Sequence, residues 1–92
     1  MPTYLVERYW PGVTTGRLHK ALEQGHRVME EMSVQGHDIR DISCTLLPSE
    51  EVVFSVYEGP SATTVQQLNE RPGIPFSRIV EAIVVTQDKK TW

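Results

Sequence analysis

The stretch from Leu18 to Glu31 contains two histidines and several acidic residues whose spacing could bind a metal ion. On an α-helix, His19, Glu23 and His26 follow one another at intervals of four and three residues, so their side chains lie along one side. Imidazole and carboxylate are donors that borderline divalent ions such as nickel, copper and zinc accept. The spacing therefore predicts a metal site, and a solvated polar helix face is the alternative interpretation.

Two further donors, His37 and Cys44, lie outside this stretch. His37 is next to Asp38 in a predicted loop, where a histidine is usually part of a solvated turn but can also supply a ligand. We include His37 as a fourth candidate ligand. Cys44 alternates with apolar neighbours, which indicates a small core residue, and nothing around it is typical of a reactive thiol.

The periodicity of apolar residues predicts the elements that position these side chains. Spacings of three and four predict a long helix ending near Met32 and a short helix beginning after Ser61. Alternation with a period of two predicts strands over 3–9, 39–47, 51–58 and 77–85. The order β-α-β-β-α-β is that of an α+β ferredoxin-like sandwich, with two helices on one face of a four-stranded antiparallel sheet.

Length, charge and composition narrow the class of protein. A chain of 92 residues fits one domain, which we expect over 1–86, with a polar C-terminal tail over 87–92. The net charge of −3 and the scattered basic residues exclude a nucleic-acid partner. No apolar run is long enough for a membrane span. One cysteine and an N-terminus without the features of a secretory signal predict a cytoplasmic protein.

The alternation also predicts which side chains face the helices and which face is left open. The predicted inward residues are Val6, Ile42, Cys44, Leu46, Val52, Phe54, Val56, Val80 and Val84. The predicted outward residues are Glu7, Asp41, Ser43, Thr45, Ser55, Tyr57 and Glu81, interspersed with Leu5, Tyr9, Val53, Ile79 and Ile83. An open face with so many apolar residues predicts a homodimer in which two sheet faces or edges meet.

A second candidate site lies on this open face. The first and last strands are neighbours in the predicted fold, so Glu7 and Glu81 are expected to approach each other beside Tyr57. Two close carboxylates suit proton transfer or a hard cation, and pairing with arginines across the dimer is the alternative. A dimeric enzyme or small-ligand-binding protein could use such a face. The chain has no nucleophile motif and no phosphate-binding loop, so we predict no catalytic residue.

Three segments together resemble a known family. They are YLVERYWPG from Tyr4, FSVYEGPSATTVQQLNERPGIPFSRIVEA from Phe54, and the helix and strand between them. In combination they are similar to a bacterial domain-of-unknown-function family of short ferredoxin-like proteins that includes a nickel-binding protein. The likeness extends over about Thr3 to Val85. It implies a ferredoxin-like fold, a homodimer and a nickel ion, whereas the four candidate ligands come from spacing alone.

The leading hypothesis is therefore a small dimeric protein that binds nickel or another divalent transition metal. The alternatives are an enzyme or ligand-binding protein that uses the open sheet face, and a structural module whose only partner is its own copy.

Overall fold

The described part of the chain folds into one sheet and two helices in the order that the sequence predicts. The structure is a computed structural model that describes residues 1–85, so the tail predicted over 87–92 lies outside the described residues. The elements are β1 (Thr3–Tyr9), α1 (Thr15–Val34), β2 (Arg40–Leu47), β3 (Val52–Glu58), α2 (Ala62–Glu70) and β4 (Arg78–Ala82). Within residues 1–85, neither helix combines the length and the apolar character that a membrane span needs.

The four strands form a single antiparallel sheet in the order β2-β3-β1-β4. The two central strands, β1 and β3, are also the first and third in the sequence, and β1 pairs with both β3 and β4. The core joins Met32 of α1 and Leu68 of α2 to Val6 of β1, so both helices cover the same face. The ferredoxin-like α+β fold and the adjacency of the first and last strands are confirmed.

Both ends of α1 are fixed by local hydrogen bonds. The Thr14 hydroxyl accepts from the Arg17 backbone N–H at 3.1 Å, which satisfies one of the unpaired donors at the start of the helix. At the other end, Gly36 has a φ of 91°, and the His37 N–H donates to the Met32 carbonyl at 2.8 Å. A left-handed glycine of this kind is a common helix terminator. These ends set which turn of α1 carries each candidate ligand.

The side of β3 that faces the helices is opposite to the predicted one. Val53, Ser55 and Tyr57 are buried under the helices, whereas Phe54 and its alternating neighbours lie on the uncovered face. The residues predicted to point inward on this strand, Val52, Phe54 and Val56, are therefore outward. Strand alternation fixes two sets of side chains but not which set is buried, and both sets of β3 contain apolar residues. The prediction for this strand is wrong.

The two edge strands also depart from the predicted faces. Ile79 of β4 lies opposite Val6 and packs against the core, whereas Val80 lies on the uncovered face. In β2 the pairing register shifts between Asp41 and Ser43, so one extra residue forms a bulge there. A bulge changes the alternation locally. Asp41 therefore faces the helices, contrary to prediction, and the residues predicted inward at Ile42 and Val84 are exposed.

Replacing Gly25 with alanine should stabilise the protein. Gly25 is buried within α1, and a Cβ added there meets its nearest neighbour, Ile74 Cδ1, at an ordinary contact distance of 3.5 Å. Since glycine is less favourable than alanine inside a helix by about 0.8 to 1 kcal/mol, the free energy of unfolding in urea should rise by about that amount. Gly73→Ala is the control, because its φ of 73° makes alanine strained. A destabilised Gly25→Ala variant would show that the site is too tight.

Candidate functional site

The exposed side of α1 carries three of the predicted metal ligands. His19, Glu23 and His26 are all exposed and occupy successive turns of the helix. His37 is also exposed, but it lies in the loop after α1. Within residues 1–85, no three histidine, cysteine or acidic side chains lie close enough together to hold a metal ion. The structure therefore places three candidate donors on one helix face without converging them on one point.

Among residues 1–85, His26 is the histidine that has a carboxylate partner from another element. Its Nε2 lies 3.0 Å from Oδ2 of Asp41 on β2. The side chains are 55% and 24% exposed, so the imidazole remains accessible while the carboxylate is mostly covered. Helical spacing could not have found this pair, because the two residues are 15 positions apart and the bulge in β2 brings Asp41 to the helix side.

Beneath this pair, the covered face of the sheet contains a buried arginine. Arg8, on central strand β1, is only 1% exposed. Its Nε donates to the Ser55 hydroxyl at 3.4 Å, one terminal nitrogen donates to the Pro75 carbonyl at 3.1 Å, and the other donates to the Tyr57 hydroxyl at 3.2 Å. Each nitrogen of the guanidinium thus has a neutral acceptor, which is what burial of this group requires.

Within residues 1–85, no carboxylate lies in direct contact with the charged group of Arg8. The ion pairs formed among residues 1–85 do not include it. Burial lowers the pKa of Arg8, and nearby Tyr57 partly offsets that effect. Burial likewise raises the pKa of Tyr57 and keeps its phenol neutral. The negative charge of Asp41, which lies opposite Tyr57 in the β2–β3 ladder, raises the pKa of both groups.

The three residues predicted to share the open face do not lie together. Glu7 is on the uncovered face, where its Oε2 lies 2.7 Å from Nε of Arg78. Glu81 pairs with Tyr4 in the β1–β4 ladder and therefore lies on the other face, as does buried Tyr57. The predicted grouping of Glu7, Tyr57 and Glu81 is wrong because β3 and β4 present the opposite sides. Glu7 forms an ion pair instead of a carboxylate pair.

Cys44 lies on the covered face of β2, as its alternation predicts. It is half-buried, pairs with Ser55 in the ladder, and accepts a hydrogen bond from the Ser55 hydroxyl at 3.6 Å. Ser55 also accepts from Arg8, so it connects the thiol to the guanidinium. Sequence reasoning missed Arg8 and Ser55. Both are polar residues at inward positions of two different strands, and only their long-range contact shows that they belong together.

The uncovered face of the sheet carries apolar side chains on its central strands. The register places on it Leu5 of β1, Val80 of β4 and the outward residues of β3, which are Val52, Phe54 and Val56. The Glu7–Arg78 ion pair lies on the same face. Leu5, Val52, Phe54 and Val56 are half-buried, and polar Ser43 and Thr45 of edge strand β2 lie opposite Val56 and Phe54.

The strand order and the two helices on one face of the sheet define a small α+β protein of the ferredoxin-like class. The family model described as nickel responsive protein SCO4226-like matches residues 4–82. Because the match extends over most of the chain, the protein belongs to the SCO4226-like family. The resemblance predicted from three sequence segments is confirmed.

A solved structure supports the same fold. The chain is similar to the crystal structure of SCO4226 from Streptomyces coelicolor A3(2), with a TM-score of 0.77 and 24% sequence identity. The alignment covers 91% of this chain and 99% of that chain, so the two have nearly the same extent. No curated protein matches the chain.

Removing the Arg8 side chain should lower stability strongly. An Arg8→Ala variant leaves a cavity and deprives the Tyr57 hydroxyl and the Pro75 carbonyl of their donor. Since each buried polar group left unsatisfied costs about 1 to 3 kcal/mol, we expect a loss of about 2 to 4 kcal/mol in urea unfolding. Arg8→Met fills more of the volume and removes the buried charge, so it should lose less. An Arg8→Ala variant as stable as the native protein would contradict this account of the core.

Proposed function

We propose that the protein binds divalent transition metal ions, nickel above all, through the exposed face of α1. The family to which the chain belongs is described as nickel responsive. Nickel accepts imidazole and carboxylate donors, and His19, Glu23 and His26 present such groups on successive turns of one helix. His37, in the loop that follows, is the fourth proposed ligand.

The observation that carries this proposal is the contact between His26 and Asp41. It brings an accessible imidazole and an acidic group from another element within 3.0 Å of each other at the surface. Glu23 lies one turn before His26 on the same exposed side. An imidazole and a carboxylate, both groups that nickel accepts, are therefore in contact at the surface, and the carboxylate belongs to the sheet.

Binding requires exposed side chains to move toward His26. Glu23 and His19 are on the helix surface, where side chains change rotamer on the picosecond to nanosecond scale. Fixing each such side chain costs about 0.5 to 1.5 kcal/mol of conformational entropy. That cost is small beside the free energy that several metal–ligand bonds provide, so the dispersed arrangement is compatible with binding.

Nickel binding should disappear when both helix histidines are replaced. In a His19→Ala, His26→Ala variant only carboxylate oxygens remain on α1, and oxygen donors suit magnesium or calcium better than nickel. Calorimetric titration at neutral pH measures the change. Lys20→Ala with Arg27→Ala is the matched control, because it removes two exposed side chains of α1 that are not donors.

Each result of that titration has a distinct meaning. Unchanged affinity in the double histidine variant would contradict the site on α1, and absence of binding to the native protein would contradict the function. A separate His37→Ala variant should bind more weakly if the loop histidine is a ligand. Because a protonated imidazole cannot bind a metal, the native affinity should also fall as the solution is acidified.

We further propose that the protein is a homodimer formed through the uncovered sheet face. Leu5, Phe54 and Val56 lie side by side on the two central strands of that face. Burial of apolar surface provides about 25 cal/mol per Å², and a second copy offers the same apolar surface in an isologous contact.

We also propose a cytoplasmic location, supported by the single cysteine of the chain.

A charge in the centre of the uncovered face should separate the dimer. Phe54→Glu places a carboxylate on a central strand, and in an isologous contact the same change occurs in both copies. Sedimentation velocity should then show a monomer, with the circular dichroism spectrum unchanged. Thr63→Glu is the control, since Thr63 is exposed on α2, which covers the other face. A native protein that is monomeric at all accessible concentrations would contradict the proposed interface.

A further inference from the structure

Strand β4 is followed by three exposed β-branched residues. Ile83, Val84 and Val85, which we call the 83–85 segment, are 88%, 61% and 82% exposed. Their composition is typical of a strand, yet β4 ends at Ala82. A contiguous run of exposed apolar side chains, unlike a single one, is typical of an interaction surface. The segment thus has the composition of a strand but no strand beside it among the described residues.

The sheet of the same chain cannot extend to this segment. The pairing of β1 with β4 ends where Thr3 lies opposite Ala82. Pro2 comes next on the β1 side, and a proline has no N–H to donate to a neighbouring strand. Its carbonyl already accepts from the Gly59 N–H at 3.1 Å. β4 is also the last strand of the sheet, so within residues 1–85 its outer edge has no neighbour. Such an edge can bind a strand of another chain.

The opposite edge of the sheet is protected against such pairing. β2 begins with the charged residues Arg40 and Asp41 and contains a bulge between Asp41 and Ser43. Charged side chains and bulges on an edge strand hinder pairing with other chains. β4 instead pairs with β1 in one uninterrupted register over Arg78–Ala82 and continues into the apolar 83–85 segment. Of the two edges, β4 is therefore the one suited to another strand.

We propose that residues 79–85 pair with the same residues of a second copy as antiparallel edge strands, centred on Ala82. The pair joins the two sheets edge to edge through main-chain hydrogen bonds. In an isologous contact of this kind, the residue at the two-fold axis lies opposite itself. The inference goes beyond the proposed function, since it depends neither on metal binding nor on contact between the uncovered sheet faces.

The choice of Ala82 as the centre follows from the side chains that it brings together. Val80 then lies opposite Val84 of the second copy, and Ile79 lies opposite Val85. Because successive side chains of a strand alternate between faces, these two pairs lie on opposite faces of the joined sheet. Apolar cross-strand pairs of this kind stabilise a sheet. The exposed residues of the edge thus supply partners for one another.

Neighbouring centres are less favourable. A centre on Glu81 places two carboxylates directly opposite each other, which is destabilising. A centre on Val80 places the 83–85 segment opposite residues 75–77, which precede β4 and are not strand residues. A centre on Ile83 moves Val80 past the end of the 83–85 segment. Charge and apolar pairing together therefore select one register.

The contact is small, which sets its strength. Standard interfaces bury about 1,200 to 2,000 Å² and involve about 20 to 30 residues a side, whereas the edge pair involves residues 79–85 alone. We therefore expect a reversible association that is populated at high protein concentration. At the dilution where the sheet-face dimer is measured, the Phe54→Glu variant remains a monomer.

Disulfide trapping tests the register. In a Cys44→Ala background, Ala82→Cys should give a disulfide-linked dimer on mild oxidation. Directly opposite Cα atoms are about 4.5 to 5.5 Å apart, and a disulfide spans about 4.4 to 6.8 Å. Glu81→Cys is the matched control, because it lies diagonally from the same position of the second copy, at about 7 to 8 Å. Non-reducing electrophoresis measures the yield. Equal yields from the two variants, or no dimer from Ala82→Cys, would overturn the proposal.

Sedimentation equilibrium at high protein concentration tests the contact without new thiols. Phe54→Glu is present in every protein compared, so the uncovered face contributes nothing, and a reversible dimer should remain. Adding Val84→Lys should abolish that dimer, because it places a charge opposite Val80. Adding Val34→Lys should not, since it makes the same change at a valine of α1 that is 91% exposed. Circular dichroism shows whether each variant is folded. A Phe54→Glu protein that is monomeric at every concentration, or equal dimerisation of the two lysine variants, would overturn the proposal.

Discussion

The burial of the Arg8 guanidinium constrains most of this structure. β1 is a central strand, so a side chain on its covered side cannot reach water past β3, β4 and the helices. A buried cation is tolerated only when its N–H groups have acceptors. Ser55, Tyr57 and the Pro75 carbonyl supply them. These acceptors determine which side of the neighbouring strand β3 faces the helices.

That choice has a consequence on the opposite side of the sheet. With Ser55 and Tyr57 turned inward, the alternation of β3 sends Val52, Phe54 and Val56 to the uncovered face. The buried polar cluster and the apolar side chains of β3 on the uncovered face are therefore two results of one constraint. With a leucine in place of Arg8, burial of the Ser55 hydroxyl would satisfy no hydrogen-bond donor, and Val52, Phe54 and Val56 would be the side chains of β3 that favour the core.

The sequence predicted the elements well because their periodicity is strong and local. The predicted first strand coincides with Thr3–Tyr9, and the order of all six elements is as expected. Which side of β3 is buried was not predictable in the same way. Val53 and Tyr57 lie on one side and Phe54 and Val56 on the other, so both sides are apolar enough to face the core. The preference is decided by the hydrogen bonds that Arg8 donates to Ser55 and Tyr57, which lie 47 and 49 positions away in the sequence. Local windows contain no signal for such pairings.

The candidate site likewise contains residues that local sequence patterns predict and one that only a long-range contact reveals. Helical spacing found His19, Glu23 and His26 because all three belong to α1. It could not find Asp41, whose approach to His26 depends on a bulge in an edge strand. His26 is thus the one predicted ligand, among the residues that the structure describes, whose ring is tied to a carboxylate of the sheet. A donor anchored on two elements loses less freedom when an ion binds than a donor on an exposed helix surface. The sheet that Arg8 organises therefore reaches the surface of α1 through the contact between Asp41 and His26.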